Sequence, residues 1–259
     1  MQISSLPAAL SGGLPAPQLA FLLIVALVAG LSRGFSGFGA ALIFMPLASA
    51  MIGPQVAAPL LLIIDAVAAL SLLRDAWKKA DKARVFIMAA GAVLGIPLGT
   101  AALVRLDQIT VRWFIAGAVC VLLMLLISGW RYHGRPRPAA TVLVGVMSGI
   151  FSGCAGAGGP PVIAYWLGGT EPRDFIRANI VAYFAVSTLI TIMSYGLSGL
   201  FTWRLLPLCL SAGVAYALGL RLGAMLFHRT GDASFRWVSY VLIAGAGLGS
   251  LPALDQLLR

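Results

Sequence analysis

Long apolar stretches alternate with short polar breaks along almost the whole chain. An apolar run of about 20 residues can cross the hydrocarbon of a bilayer as an α-helix. The pattern therefore predicts an all-α fold, a polytopic transmembrane bundle. Ten stretches are apolar, and they fall near residues 17–32, 40–52, 56–73, 85–104, 111–130, 139–151, 159–169, 178–197, 203–227 and 236–254.

Three of these stretches, 40–52, 139–151 and 159–169, are too short to cross a bilayer comfortably. They flank two glycine clusters, at 34–39 and 153–159. Backbone that leaves the helix at membrane depth must be buried in protein or line a wet cavity. We therefore predict broken or re-entrant helices at these two places.

The composition agrees with a protein whose solvent is mostly lipid. Of the 259 residues, 60% are hydrophobic and 10% are charged, against about 25% charged in a typical soluble domain. These values exclude a soluble enzyme, a disordered chain and a disulfide-rich secreted domain. At roughly 25 residues for each span and its loop, the chain has room for about eight to ten passes.

The two halves of the chain resemble each other. One constant offset, 119, aligns the glycines of the two clusters, and a second, 124, aligns Arg112-Trp113 with Arg236-Trp237. The glycine pairs under the first offset are Gly30/Gly149, Gly34/Gly153, Gly37/Gly156 and Gly39/Gly158. The repeat predicts an N-terminal segment 1–16, a first transmembrane repeat 17–130, a basic cytoplasmic linker 131–138 and a second transmembrane repeat 139–259, with five hydrophobic segments in each repeat.

Because five segments is an odd number, we expect the second repeat to be inserted upside down, as an inverted repeat. Cytoplasmic loops are rich in Lys and Arg, and with the N-terminus outside, 13 of the 18 basic residues fall inside. Residues 1–32 also lack the basic start of a signal peptide. We therefore predict a multi-pass protein of the bacterial inner membrane with a periplasmic N-terminus. If the first helix pair is re-entrant, Arg33 moves from the inner face toward the middle of the membrane.

The glycine clusters are candidate substrate-binding segments. Unwound glycine backbone can present N–H groups to a ligand, and a helix that restarts after it presents its positive dipole end. The alternative is that the glycines only allow close helix packing, although Pro160-Pro161 after the second cluster exceeds what packing needs. The candidate residues in and beside the clusters are Gly34, Ser36, Gly37, Gly39, Ser152, Gly153, Cys154, Gly156, Gly158 and Gly159.

Four charged residues lie within the spans or next to them: Arg33, Asp65, Arg177 and Arg221. An uncompensated buried charge is strongly unfavourable, so each needs a partner or a wet cavity. One interpretation pairs Asp65 with Arg221 for structural reasons. The other has the three arginines neutralise an anionic substrate, with Asp65 as a coupling group for a proton or a cation. Asn179, close to Arg177, could donate to an oxygen of the anion.

Enzyme motifs are not supported. Gly34-Phe35-Ser36-Gly37 matches the Gly-x-Ser-Gly of intramembrane serine proteases, but a serine nucleophile needs a base, and His133 and His228 lie in loops. The sequence has no Walker motif and no metal-ligand spacing. We therefore predict no enzyme activity, no cofactor and no metal. The basic loop 74–84 is expected to face anionic lipid headgroups rather than nucleic acid.

These motifs resemble those of the TauE/SafE family, the sulfite-exporter-like permeases also called TSUP. The resemblance rests on the first glycine cluster followed by Met45-Pro46, and on the second followed by Arg177-Ala178-Asn179. It covers about residues 17–255. The chain departs from the common pattern at Phe38-Gly39-Ala40, where the family often has three glycines, and at Ala178-Asn179-Ile180, where it often has Ala-Thr-Ser.

The resemblance implies an inner-membrane carrier of sulfite, sulfoacetate or related organosulfonates, with export as the usual direction. We therefore expect a secondary transporter that binds its anion near the midplane, between two inverted halves, and works by alternating access. A passive anion channel, or a permease for another small anion, is the alternative. The expected partners are a small anionic substrate and membrane lipid, and the sequence does not indicate an oligomeric state.

Overall fold

The structure, a computed structural model, describes residues 12–36, 39–130, 132, 137–166, 171–227 and 232–251. Within these ranges every regular element is an α-helix, which confirms the all-α fold. The helices in chain order are α1 Ala16–Ser36, α2 Ala40–Ile52, α3 Pro54–Lys79, α4 Lys82–Arg105, α5 Gln108–Ser128, α6 Pro138–Ala155, α7 Gly159–Trp166, α8 Arg173–Leu197, α9 Leu205–Phe227 and α10 Asp232–Gly249.

Each apolar stretch of the sequence coincides with one of these helices. The difference between apolar stretch and helix that matters most for function concerns the stretch 139–151. Here the helix, α6, continues to Ala155 and is 18 residues long. Ser152, Gly153 and Cys154 interrupt the apolar run but not the helix. The segment is therefore long enough to cross a membrane, and the prediction that it is too short is wrong.

Within the described residues, six helices are long and apolar enough to cross a membrane: α1, α4, α5, α6, α8 and α9. α3 becomes a seventh if its bend of 69° between Leu70 and Leu73 is counted within one span. Large apolar side chains such as Leu94, Leu98 and Leu189 point outward and are more than half exposed, as a lipid-facing surface requires. The chain is thus a multi-pass membrane protein.

The most extensive helix packing in the described chain joins α4 to α6. Gly91, Gly95 and Gly99 of α4 lie against the backbone of α6, where Gly145, Gly149 and Gly153 face back. A Cβ atom at Gly95 would collide with the carbonyl oxygen of Val146. Only glycine permits this approach, which small residues at i and i+4 provide in membrane helices.

A second interface of the same kind joins α1 to α9. A Cβ atom at Gly30 would collide with the carbonyl oxygen of Tyr216, and one at Gly219 with that of Leu27. The first helix of each half of the sequence therefore packs on the fourth helix of the other half. The two halves are interlocked by these crossed pairs.

α6 and α7 form a hairpin that returns to its starting end. Gly158 lies against Ser148 and Ser152, and the hydroxyls of Thr141, near the start of α6, and Tyr165, near the end of α7, are 2.6 Å apart. α7 therefore runs antiparallel to α6 and returns toward the end of the bundle where α6 begins, while its re-entry into a membrane stays a prediction.

α1 and α2 form the corresponding hairpin of the first half. Gly53, after α2, lies beside Gln108 at the start of α5, and the Gln55 side chain donates to the carbonyl of Leu103 at 3.3 Å, near the end of α4. The α1–α2 hairpin thus opens toward the end of the bundle where α4 meets α5.

The α6–α7 hairpin opens toward the opposite end of the bundle. There α8 begins beside the turn between α3 and α4, where the backbone N–H of Asp81 donates to Asn179 Oδ1 at 2.7 Å. An inverted repeat requires hairpins that open in opposite directions. The inversion of the second repeat across a membrane stays a prediction, as do the boundaries of the four segments predicted from the sequence.

Candidate functional site

The two helix breaks meet in the interior of the bundle. A Cβ atom built on Gly156, in the second break, would lie 3.9 Å from Ala41 Cβ, in the first turn of α2, and 3.5 Å from Leu61 of α3. The sequence predicts that the breaks face each other, and their described parts do adjoin. Gly37 and Phe38 lie outside the described residues, as does the side chain of Ser36.

The second break is a structured turn. Gly156 has φ +61°, the left-handed region that glycine adopts at helix C-termini, and its N–H donates to the Ser152 carbonyl at 2.9 Å. Ala157 N–H donates to the Phe151 carbonyl at 3.1 Å. These two bonds satisfy carbonyls that the end of α6 would otherwise leave without a partner.

Side chains of α6 and α8 hold this turn in place. Ser148 Oγ donates to the Gly158 carbonyl at 2.8 Å, and the Tyr183 hydroxyl donates to Ser148 Oγ at 2.9 Å. Lower in the same turn, the Tyr195 hydroxyl donates to the Gly153 carbonyl at 2.9 Å. The carbonyls of Gly153 and Gly158 are therefore engaged by protein.

The two restarting helices differ in the N–H groups that they offer. α7 begins Gly159-Pro160-Pro161, and proline has no N–H, so two of its first three positions cannot donate. α2 follows Gly39, whose φ is +97°, and its first ordinary backbone bond runs from Ile43 N–H to Gly39 at 3.3 Å. The N–H groups of Ala40 to Leu42 have no partner within the helix, so α2 is the better donor to an anion.

An ion pair lies in the middle of the bundle. Arg33, in the last turn of α1, binds Asp65 of α3 through two bonds, with Nη2 to Oδ2 at 3.0 Å and Nε to Oδ1 at 3.0 Å. The Tyr216 hydroxyl of α9 donates to Asp65 Oδ1 at 2.5 Å. We call Arg33, Asp65 and Tyr216 the central triad.

Two members of the central triad lie near the middle of helices of membrane-spanning length. Asp65 and Tyr216 each lie 11 residues after the first residue of their helices, which is about 16 Å along a helix and roughly half of the ~30 Å hydrocarbon layer. The side chains of Arg33 and Asp65 remain 21% and 30% exposed. Arg33 lies in the last turn of α1, and the re-entrant alternative predicts that this turn lies within the membrane.

The central triad and the junction of the breaks are neighbours on α3. Leu61, which contacts the second break at Gly156, precedes Asp65 by one helical turn, about 6 Å along the axis. Arg33 lies in the last turn of α1, just before the first break. One small region therefore contains a guanidinium group, a carboxylate, a tyrosine hydroxyl and the N–H groups of the first turn of α2.

Other candidate residues lie elsewhere. The Asn179 side chain is buried and accepts from Asp81 N–H, so its oxygen caps a turn. Arg177 is exposed six residues before Tyr183, about 9 Å along α8. Arg221 is exposed on α9, and Asp65 pairs with Arg33 rather than with Arg221.

The second cluster also contains residues that serve packing. Cys154 is buried in the apolar core, and Gly153 lies against the backbone of α4 at Ile96. Gly34 packs on the backbone of Leu220 in α9. Close packing and a binding role are therefore combined in the same clusters.

Sequence reasoning did not identify the tyrosines and serine that complete the site: Ser148, Tyr183, Tyr195 and Tyr216. A signal was present, because a buried tyrosine hydroxyl almost always needs a hydrogen-bond partner, and three tyrosines lie in the interior of predicted spans. In the described residues no group of three His, Cys, Asp or Glu side chains could hold a metal ion.

The family described as Sulfite exporter TauE/SafE matches residues 22–249. The match covers both glycine breaks and the central triad. The fold and site define a helical membrane permease. The chain belongs to the TauE/SafE family, which is a family of transporters rather than enzymes. No curated protein and no solved structure matches the chain.

Proposed function

We propose that the protein is a secondary transporter of small sulfur-containing anions, namely sulfite, sulfoacetate or related organosulfonates, and that it works as an exporter. The observation that carries the proposal is the junction of the two helix breaks, one turn of α3 away from the Arg33–Asp65 ion pair. Membership in the sulfite exporter family supports the class of substrate.

The proposed binding site lies between α2, the second break and Arg33. Sulfite and sulfonate oxygens, like those of phosphate, suit a guanidinium fork and backbone N–H donors. In this proposal the N–H groups of the first turn of α2 and the Arg33 side chain hold the anion. Ser152 borders the site, while Arg177 and Asn179 lie toward the end where α8 begins.

Alternating access is proposed to follow from the crossed helix pairs. α1 with α9 and α4 with α6 are each held by backbone contact at glycines, so each pair moves as one body. Rocking of one pair against the other would open the junction toward either end of the bundle. The proposed setting is the bacterial inner membrane, with the N-terminus in the periplasm.

The test is flux of sulfite and sulfoacetate into liposomes that contain the purified protein. Arg33→Lys keeps the charge but cannot make the bidentate contact, and loss of one charge-assisted hydrogen bond predicts a flux at least about tenfold lower. Arg105→Lys, an exposed change at the end of α4, is the matched control and leaves flux unchanged. Equal flux in the Arg33 variant and the wild type contradicts this binding site.

Counterflow separates a carrier from a channel. Unlabelled anion on the far side of the membrane accelerates entry through a carrier, because the loaded site returns faster than the empty one. An open pore shows no such acceleration. We expect acceleration, and its absence would favour the passive channel.

A further inference from the structure

We propose that the central triad exchanges its internal carboxylate for the transported anion, so that one proton moves with each monovalent anion and the outward gradient of the anion drives export. The proposal rests on the proposed function and adds the coupling ion. It starts from the ion pair of Arg33, whose guanidinium already binds the Asp65 carboxylate through Nε and Nη2. A sulfonate that binds the same two nitrogens must replace Asp65 there.

The carboxylate that is displaced has one described partner left. Tyr216 donates to Asp65 Oδ1, and a single neutral hydroxyl does not compensate a charge in a low-dielectric interior. Proton uptake by Asp65 removes that charge. The carboxylate becomes a carboxylic acid, its O–H forms from a proton that enters from the aqueous side, and no other bond is made or broken.

The charge balance is the same before and after exchange. In the resting state Arg33 and Asp65 form a neutral pair. In the loaded state Arg33 and a monovalent anion form a neutral pair, and Asp65 is neutral because it is protonated. A site at membrane depth that stays neutral throughout can move without transferring net charge, which would otherwise be opposed by the bilayer.

The described contacts of Asp65 include no second carboxylate that could take this role, and Arg221 of α9 is exposed. α2 has no ionisable side chain between Ala40 and Ile52. The tyrosines of α8, Tyr183 and Tyr195, donate to α6 instead, and Cys154 of α6 is buried in the apolar core. The titratable groups that contact Asp65 in the described chain are Arg33 of α1 and Tyr216 of α9.

The experiment uses isethionate, a monovalent organosulfonate without a titratable group near neutral pH. Wild-type protein is placed in liposomes that contain a trapped pH dye, with equal pH on both sides and potassium with valinomycin to hold the membrane potential at zero. We expect inward movement of labelled isethionate to acidify the lumen, with about one proton for each anion. Uptake without acidification overturns the proposal.

Asp65→Asn removes the titratable carboxyl, so it is expected to lower the ratio of lumen acidification to isethionate uptake by at least tenfold relative to the wild type. Asp75→Asn, the same chemical change at an exposed position of α3, is the matched control and keeps the wild-type ratio. An unchanged ratio in the Asp65 variant also overturns the proposal. If the Asp65 variant does not insert into the membrane, the proton-to-anion ratio measured with the wild-type protein tests the proposal by itself.

The two failures are distinguishable. If wild-type liposomes show neither flux nor counterflow of isethionate, sulfite or sulfoacetate, the proposed function itself is wrong. If these anions move and the lumen does not acidify with isethionate, the function stands and the coupling by Asp65 is wrong.

Discussion

At the scale of single residues, hydroxyl groups determine how the second break is held. The Tyr195 hydroxyl donates to the Gly153 carbonyl, in the last turn of α6. That carbonyl lies beyond the reach of the helix's own N–H groups. The buried tyrosine, 1% exposed, therefore supplies a bond that water cannot replace.

Tyr195→Phe should lower the free energy of unfolding by about 1–3 kcal/mol, because it leaves a buried carbonyl without a donor. Thermal unfolding of the detergent-solubilised protein measures the change. Tyr240→Phe is the control, since its hydroxyl lies 3.4 Å from the Leu126 carbonyl, at the weak limit of hydrogen-bond geometry. Equal shifts for the two variants would contradict this role of Tyr195.

At the scale of helices, glycine sets which surfaces can approach. Gly95 of α4 touches the backbone of α6, while Gly117 of α5 has no atom within 4 Å of an added Cβ. Glycine is therefore required for packing at Gly95 and leaves open space at Gly117. Sequence spacing alone does not distinguish these two glycines, because the difference depends on whether a partner helix lies against them.

Gly95→Ala should destabilise the protein by roughly 1–3 kcal/mol through overpacking against α6. Gly117→Ala should be neutral or stabilising by up to about 1 kcal/mol, because alanine has the higher helix propensity. Both variants can be compared by thermal unfolding in one detergent. An unchanged Gly95 variant would show that the α4–α6 contact is looser than described.

At the scale of the whole molecule, the two hairpins open toward opposite ends of the bundle. Gln108 and Thr202 are exposed at one end, and Lys82 and Glu171 are exposed at the other. The inverted repeat predicts that these ends face opposite sides of the membrane. The positive-inside rule predicts that Lys82 and Glu171 face the cytoplasm.

A cysteine-free background, with Cys120, Cys154 and Cys209 replaced, allows a direct test. We expect a membrane-impermeant maleimide on spheroplasts to label Gln108→Cys and Thr202→Cys. Lys82→Cys and Glu171→Cys should react only after permeabilisation. Labelling of Gln108→Cys and Thr202→Cys from different sides would contradict the described arrangement of the two ends.

The fold was largely predictable because each helix is a local pattern. Hydropathy and glycine positions anticipated all ten helices and the two breaks. The partner of Asp65 was not predictable, because Arg33 comes into reach only when α1 turns back into α2 and α3 follows. Tyr216 joins from α9, far along the chain, and that contact depends on the packing of Gly30 and Gly219.

The crossed helix pairs also impose an order on the synthesis of the protein. α4 can close on α6 as soon as the chain has been made up to Ala155. α1 leaves the ribosome before α4 does, yet its glycine face has to wait for α9, which ends at Phe227. During that interval Asp65 of α3 is the residue that neutralises the charge of Arg33. The insertion machinery must therefore shelter α1 for longer than α4, and truncated chains that end before α9 should be substrates for membrane proteases.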